Sequence, residues 1–265
     1  MTKYQARLTE SGLAVEDSIV LCAEFRSTRD WEDVKSKALK ENLLGKGSRS
    51  RISKLLRAVE RRIFQAPSPL DHPLAVTRFL AAERKVPAVA KAQLLFVLAV
   101  NDDIALRDAF CRLIVAGANG SVSKSLAQDE IRRFLSDAAE LRPEVEQWTE
   151  QTRARWSQGL RLVLREAGFV TPTDKSACLE IRPPVVRDEV VAFLAHAIAD
   201  RGVSGWPILR HDTMKYLLFT ETDALRAARA LNDRGWWSYA QSDRIMEFRR
   251  NHASLEEWLD HGLGI

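Results

Sequence analysis

The chain has 265 residues, of which 46% are hydrophobic and 29% charged, with 40 Lys+Arg against 36 Asp+Glu. That balance excludes wholesale disorder and supplies enough apolar material for two modest domains. A net charge of +4 is small, so any basic surface must come from local clustering rather than from overall composition.

Residues 1–5 lack the apolar run of a signal peptide, and the longest oily stretch, 92–100, is far shorter than the ~20 residues of a membrane helix. Cys22, Cys111 and Cys178 are widely separated and give neither a disulfide framework nor metal-ligand spacing. Each sits among apolar neighbours, which predicts buried free thiols and a cytoplasmic protein.

In chain order, the first 66 residues read as three helices. Residues 13–26 follow the start signal Thr9-Glu10-Ser11-Gly12, and residues 31–41 follow Asp30 as N-cap. The third helix, about 48–64, comes after a turn at Gly45 and Gly47. Between positions 46 and 63, seven cations (Lys46, Arg49, Arg51, Lys54, Arg57, Arg61 and Arg62) meet a single acid, Glu60. Ile52, Leu55, Leu56, Val59 and Ile63 recur with helical period on one side. Lys54, Arg57 and Arg61 fall on the other, with Arg51 and Arg62 flanking. Ser48 and Ser50 are N-cap candidates, which would set free backbone N–H groups and the positive dipole end beside Lys46 and Arg49. An aliphatic buried face backing a cationic wet face suits a polyanion. The competing reading is an Arg-rich helix that is simply solvated, and the missing acids weigh against it. Three short helices with a basic third also share the helix-turn-helix outline.

Residues 65–73 carry three prolines and read as a bend between sub-bundles 1–66 and 74–168. Helical period then predicts helices at 74–84, 87–100, 104–116, 125–141 and 144–167, with a loop at 117–121 and Gly168 as the final stop. Nothing before Gly168 reads as a strand, so residues 1–168 are expected to form an all-helical domain.

The texture changes over 169–265. A short strand at 177–181, a helix at 185–201, a strand at 206–209, helices at 212–218 and 221–233, and a hairpin formed by 236–240 and 244–249 follow in turn. That order is winged-helix-like, and the fold class expected is mainly α with a smaller C-terminal α+β domain. Arg226 and Arg229 (with Arg234) would then lie on the recognition helix, and Arg244 and Arg249 (with Arg250) on the wing. Glu221, Asp223 and Asp233 dilute that helix's charge, so a small α+β domain that closes its own core or binds a protein is the competing reading. The tail, 254–265, carries Glu256, Glu257 and Asp260 and is expected to pack on the protein. Trp148 and Trp156, eight apart on the expected 144–167 helix near Arg153, Arg155, Arg161 and Arg165, read as core anchors before base-stacking platforms. One ring of Trp236-Trp237 is expected inside and the other partly exposed as a candidate contact.

No catalytic motif emerges. Gly45-Lys46-Gly47-Ser48 lacks P-loop spacing, Gly202-Val203-Ser204-Gly205 is one residue short of a nucleophile elbow, and the five histidines show no ligand pairing. Asp174 with Glu180-Ile181-Arg182 is similar to a nuclease carboxylate pair, but Arg stands where Lys is wanted and cannot give up a proton. No metal, cofactor or catalytic residue is expected.

The N-terminal pattern Tyr4-x-Ala6-x-Leu8-Thr9-x-x-Gly12-Leu13, then Glu16-x-Ser18, Asp30-Trp31, Glu41-Asn42-Leu43-Leu44, Ser48-Arg49-Ser50 and Arg61-Arg62, resembles the BrxA family of bacteriophage exclusion (BREX) systems. The likeness is clearest over residues 4–64, with echoes at Arg155-Trp156-Ser157 and Glu166-Ala167-Gly168. Ser11 stands where a second glycine is usual, and Gly45-Lys46-Gly47 gives a more flexible entry to the basic helix. The resemblance implies a mostly helical, non-enzymatic accessory protein, likened to a helical RNA-binding antitermination factor. It further implies duplex DNA as ligand, with RNA as the alternative. A methyltransferase, an ATPase and a phosphatase-like protein are the implied system neighbours. The nucleic-acid contacts expected are Lys46, Ser48, Arg49, Ser50, Arg51, Lys54, Arg57, Arg61 and Arg62, joined by Arg226, Arg229, Arg244 and Arg249. A scaffold that meets an acidic protein surface without touching DNA is the rival reading.

Overall fold

The computed structural model describes residues 3–116, 125–173, 178–242 and 245–265. Three helices open the chain: α1 (Val15–Thr28), α2 (Trp31–Glu41) and α3 (Arg49–Val59), the last prolonged by a wider π-type turn, Glu60–Phe64. Asp30 and Ser48 cap α2 and α3, each accepting from a backbone N–H of the first turn. α1 begins two residues later than its pattern suggests, because Gly12 and Leu13 form an irregular strap before Ala14 turns through a left-handed φ of 53°. α4 (Pro73–Ala81), α5 (Ala88–Asp102) and α6 (Ile104–Ala109) follow, with a second π-type turn at Phe110–Val115.

The next segment departs from expectation in two places. Residues 125–127 form a strand, β1 (Ser125–Ala127), ahead of α7 (Gln128–Leu141). The Glu130 carboxylate accepts from the Ala127 N–H at 2.6 Å, which fixes the helix start there and frees the residues before it to pair. The single helix expected at 144–167 is two, α8 (Pro143–Glu146) and α9 (Glu150–Glu166), because Thr149 accepts from the Thr152 N–H at 3.2 Å and starts a new helix. Trp148 therefore lies in the break. Trp156 is fully buried, its ring 6.1 Å from that of Trp148, and serves as a core anchor.

β2 (Val170–Pro172) and β3 (Cys178–Ile181) complete an antiparallel sheet of order β1-β3-β2, in register Leu126↔Leu179 and Val170↔Ile181. The helical segment thus donates a strand to the chain that follows it. α10 (Asp188–Ala199) comes next. Ala90 to Val100 of α5 and Glu189 to Ile198 of α10 are buried without interruption, as expected of helices apolar all round, and the two pack on each other. Gln93 joins them: its amide donates to the Val185 carbonyl at 2.9 Å and accepts from the Arg187 N–H at 3.0 Å. Phe96, Phe110 and Phe169 meet at centroid separations of 4.6–5.1 Å, and Phe79 meets Phe193 at 5.1 Å. Each such ring removed from water is worth about 2 kcal/mol.

The strand expected at 206–209 is a 3-10 helix, Trp206–Arg210; Pro207 has no N–H to give a ladder, and Gly205 enters with φ 69°. α11 (Asp212–Lys215) and α12 (Glu221–Asp233) follow, and Thr220 and Asp223 cap α12 reciprocally. The hairpin forms as its pattern predicts, β4 (Trp237–Ser242) pairing with β5 (Ile245–Arg250). Both tryptophans at its start are buried, which removes the expected exposed contact. Trp237 stacks on Phe248 at 4.4 Å, while Trp236 donates to the Gly262 carbonyl at 2.9 Å and meets the Trp258 edge. The covering element is the tail, α13 (Leu255–Glu257) with its π-type continuation Trp258–Leu263. Glu256 and Asp260 hold it to Arg78.

His196 is buried among Trp237, Trp258 and His252. Its Nδ1 lies 2.9 Å from the Ala192 carbonyl and 3.3 Å from Trp237 Nε1. The shorter contact requires a proton on Nδ1, and Nε2 has no partner. Burial pushes the imidazole down to about 4. The folded state therefore resists a proton that the unfolded chain accepts below about pH 6.5. Stability is complete above that pH and falls as the pH drops towards 4, by at most roughly 3 kcal/mol. Urea unfolding of wild type and His196→Gln at several pH values checks this: the stability difference between them should shrink on acidification. A difference independent of pH would place the proton's cost elsewhere.

Of the cysteines only Cys22 is buried; Cys111 is exposed and Cys178 half-buried, against the expectation of three buried thiols. Among the described residues no helix is long and apolar enough to cross a membrane.

Candidate nucleic-acid interface

α3 buries Ile52, Leu55, Leu56 and Val59, and its continuation buries Ile63. The outward face carries Arg49, Ser50, Arg51, Lys54 and Arg57, all exposed. Ser48 Oγ is the cap, accepting from the Arg51 N–H at 3.3 Å. Arg49, Arg51 and Lys54 have no hydrogen-bonded or ion-paired side-chain partner among the described residues, so three cations are open to solvent along the first half of the helix.

The cations on either side of these three are compensated. Lys46, just before the helix, pairs with Asp17 at 2.8 Å. Arg57 and Arg61 share the Glu10 carboxylate at 3.4 Å, and Arg61 also reaches Asp102 at 3.4 Å. Arg7 bonds the same Asp102. Glu60, the only acid of the segment, is taken by Lys35 at 3.3 Å. Arg62 corrects the sequence reading outright: it is 3% exposed and donates to the carbonyls of Gly12 at 2.9 Å and Leu13 at 3.3 Å. Position 62 is three beyond Val59, which places it on the apolar side. It is a tie for the strap and has no access to a ligand. Burial lowers its pKa, opposed by the charges of Asp102, Asp103 and Glu166. Asp103 caps α6, and burial raises its carboxyl to about 6.

The strap closes a groove of about 440 Å³ along α3, lined by Ser48, Ser50, Arg51 and Lys54 on one side and by Leu162 and Glu166 of α9 on another. Its position is fixed by close backbone approach. A Cβ at Gly159 would sit 2.4 Å from the Leu8 carbonyl oxygen, and one at Gly12 would sit 2.8 Å from Leu162. Glu166 accepts from the Leu13 N–H at 2.8 Å, and burial raises its carboxyl.

The C-terminal candidates do not join this face in one element pair: α3 packs on α2, whereas α12 packs on β4 and α10. Arg226 is exposed and paired with Asp223 at 3.0 Å, and Arg249 is exposed and paired with Glu247 at 3.1 Å. Arg229 is exposed. Arg244 lies outside the described residues, as does Asp174. Glu180 is bound by Arg182 at 2.7 Å. The acids that neutralise α3, namely Glu10, Asp17 and Asp102, escaped sequence reasoning because they come from other elements.

The model of the BrxA family matches residues 2–197, which takes in the strap, α3, the groove and most of α10. A crystal structure of an uncharacterized protein from Magnetospirillum magneticum is similar over 82% of this chain and 97% of that one, with a TM-score of 0.58 and 17% identity, a likeness of fold. No curated protein matches the chain. With well over half of its length inside the family match, the chain belongs to the BrxA family, accessory proteins of the BREX phage-defence systems.

Proposed function

We propose that this protein is a non-enzymatic, cytoplasmic component of a BREX system that binds duplex DNA through α3. The observation that carries the reading is the exposed, unpaired trio Arg49, Arg51 and Lys54 at a serine-capped helix start, with exposed Arg57 next along the same face. Hydrated cations of this kind bind phosphates by releasing condensed counterions, and they need not abandon an internal acid first. Contacts to phosphates position a duplex without reading its bases, so the binding proposed is weakly specific for sequence. Arg226, Arg229, Arg244 and Arg249 provide a second, weaker contact from the winged-helix-like C-terminal region. The methyltransferase, ATPase and phosphatase-like neighbours implied by the family are its protein partners.

Fluorescence anisotropy on a labelled duplex, titrated between about 50 and 200 mM salt, tests the proposal. Four phosphate contacts predict that log K falls with log salt at a slope of about −3.6 or steeper. No binding at the lowest salt, or binding indifferent to salt, would sink the reading. Retention of defence partners in that case would favour the scaffold instead.

A further inference from the structure

The groove beside α3 has a second wall whose charge the DNA reading leaves unused. On α9, Arg155, Gln158, Leu162 and Arg165 recur at intervals of three or four and so share one stripe. Arg155, Gln158 and Arg165 are exposed, and Leu162 between them lines the groove together with Arg51 and Lys54. Neighbouring arginines off this stripe are occupied: Arg153 donates to the Val145 carbonyl at 3.3 Å and Arg161 to Gln128 Oε1 at 3.0 Å. The side chains of Arg155 and Arg165 have no hydrogen-bonded or ion-paired partner among the described residues.

Three acids line the same groove, Glu10, Asp17 and Glu166, and each is engaged elsewhere. Glu10 holds Arg57 and Arg61, Asp17 holds Lys46, and Glu166 accepts the Leu13 N–H. Glu166 is near enough to feel Arg165, and burial raises its carboxyl while the Leu13 N–H, Arg165 and Arg62 act to lower it. The two walls are also held in fixed relation. Leu8 seats on Gly159, Gly12 seats on Leu162, and Arg62 at the end of α3 binds the carbonyls of Gly12 and Leu13. Cations on two elements locked through one strap are pre-organised, so little ordering cost falls on binding.

We infer that Arg155 and Arg165 form a second line of phosphate contacts, flanking the groove from α9 while the α3 cations flank it from the other side, for the same duplex DNA. This rests on the proposed DNA binding at α3.

The test is the salt slope of the full-length protein on a labelled duplex. Arg155→Ala with Arg165→Ala should flatten it by about 1.8 log units per log unit of salt, and Lys at both positions should restore most of it. Thermal melting should stay at the wild-type value in both pairs, because both side chains lie in solvent. A slope unchanged by the alanine pair, while Arg49→Ala/Arg51→Ala/Lys54→Ala flattens it, would overturn the α9 wall and leave the α3 reading standing. Slopes unchanged by both sets, with wild-type binding intact, would overturn the two together. A slope lost in the alanine pair and not recovered with lysine would also overturn the inference, since a phosphate contact depends on charge.

Discussion

Alanine at Arg49, Arg51 and Lys54 together is expected to flatten the salt dependence of duplex binding by about 2.7 log units, about 0.9 for each phosphate lost. At about 0.1 M salt this corresponds to binding weaker by several hundred-fold. The magnitude follows because no acid among the described residues is ion-paired with these three side chains: Glu10 and Asp17, which line the groove beside Arg51 and Lys54, hold Arg57, Arg61 and Lys46 instead. A phosphate that meets Arg51 displaces only counterions and water. Arg57 and Arg61 are different, because each must release Glu10 at 3.4 Å before it can serve a ligand. An ion pair of this partly exposed kind is worth only about 0.2–1 kcal/mol, but its loss offsets part of the gain from a phosphate. Arg57→Ala should accordingly cost less than any one of the trio. Stability should hardly change in the triple variant. The side chains are exposed and hold no ion pair among the described residues, and removing cations from a helix start slightly favours the dipole. A triple variant that melts like wild type and keeps the wild-type slope would exclude α3 from the interface.

What the sequence made legible was the local chemistry. The caps Asp30, Ser48 and Thr220, the apolar stripe from Ile52 to Ile63 and the hairpin around positions 242–245 are written in short-range spacing, where period and turn residues decide structure. What stayed hidden was non-local. Nothing adjacent to Arg61 announces Glu10 or Asp102, which arrive from elements 51 and 41 positions away in the chain. β1 was hidden for the same reason, since its three residues are a strand only because β3 supplies the ladder. Pro207 and Thr149 were signals of a different sort, visible in the sequence but outweighed by the apolar pattern around them. Arg62 is the instructive case. Charge placed it among the surface cations, while its three-residue offset from Val59 placed it inside, and periodicity won.

That buried arginine also carries a large stability effect. Arg62→Ala would leave the Gly12 and Leu13 carbonyls without their donor and remove the cation among Asp102, Asp103 and Glu166. Breaking a buried charge assembly by deleting one partner costs about 3–5 kcal/mol, far more than the pair is worth against a well-packed apolar replacement. For a chain of this size the melting temperature should fall by about 10 °C. Arg62→Met separates packing from charge: it fills much of the space but still strands the two carbonyls, so it should recover only a minor share. Arg62→Lys keeps the charge with a single compact donor group and should fall between the two. Because Leu13 also fixes Glu166, and Gly12 rests on Leu162, loss of the tie should loosen the strap. Protease cleavage within residues 5–14 should then precede global unfolding. Differential scanning calorimetry with limited proteolysis checks both outcomes. An Arg62→Ala protein that melts within a degree of wild type, its strap still resistant, would mean that Gly159 and Leu8 hold the segment unaided and that the buried guanidinium is a passenger.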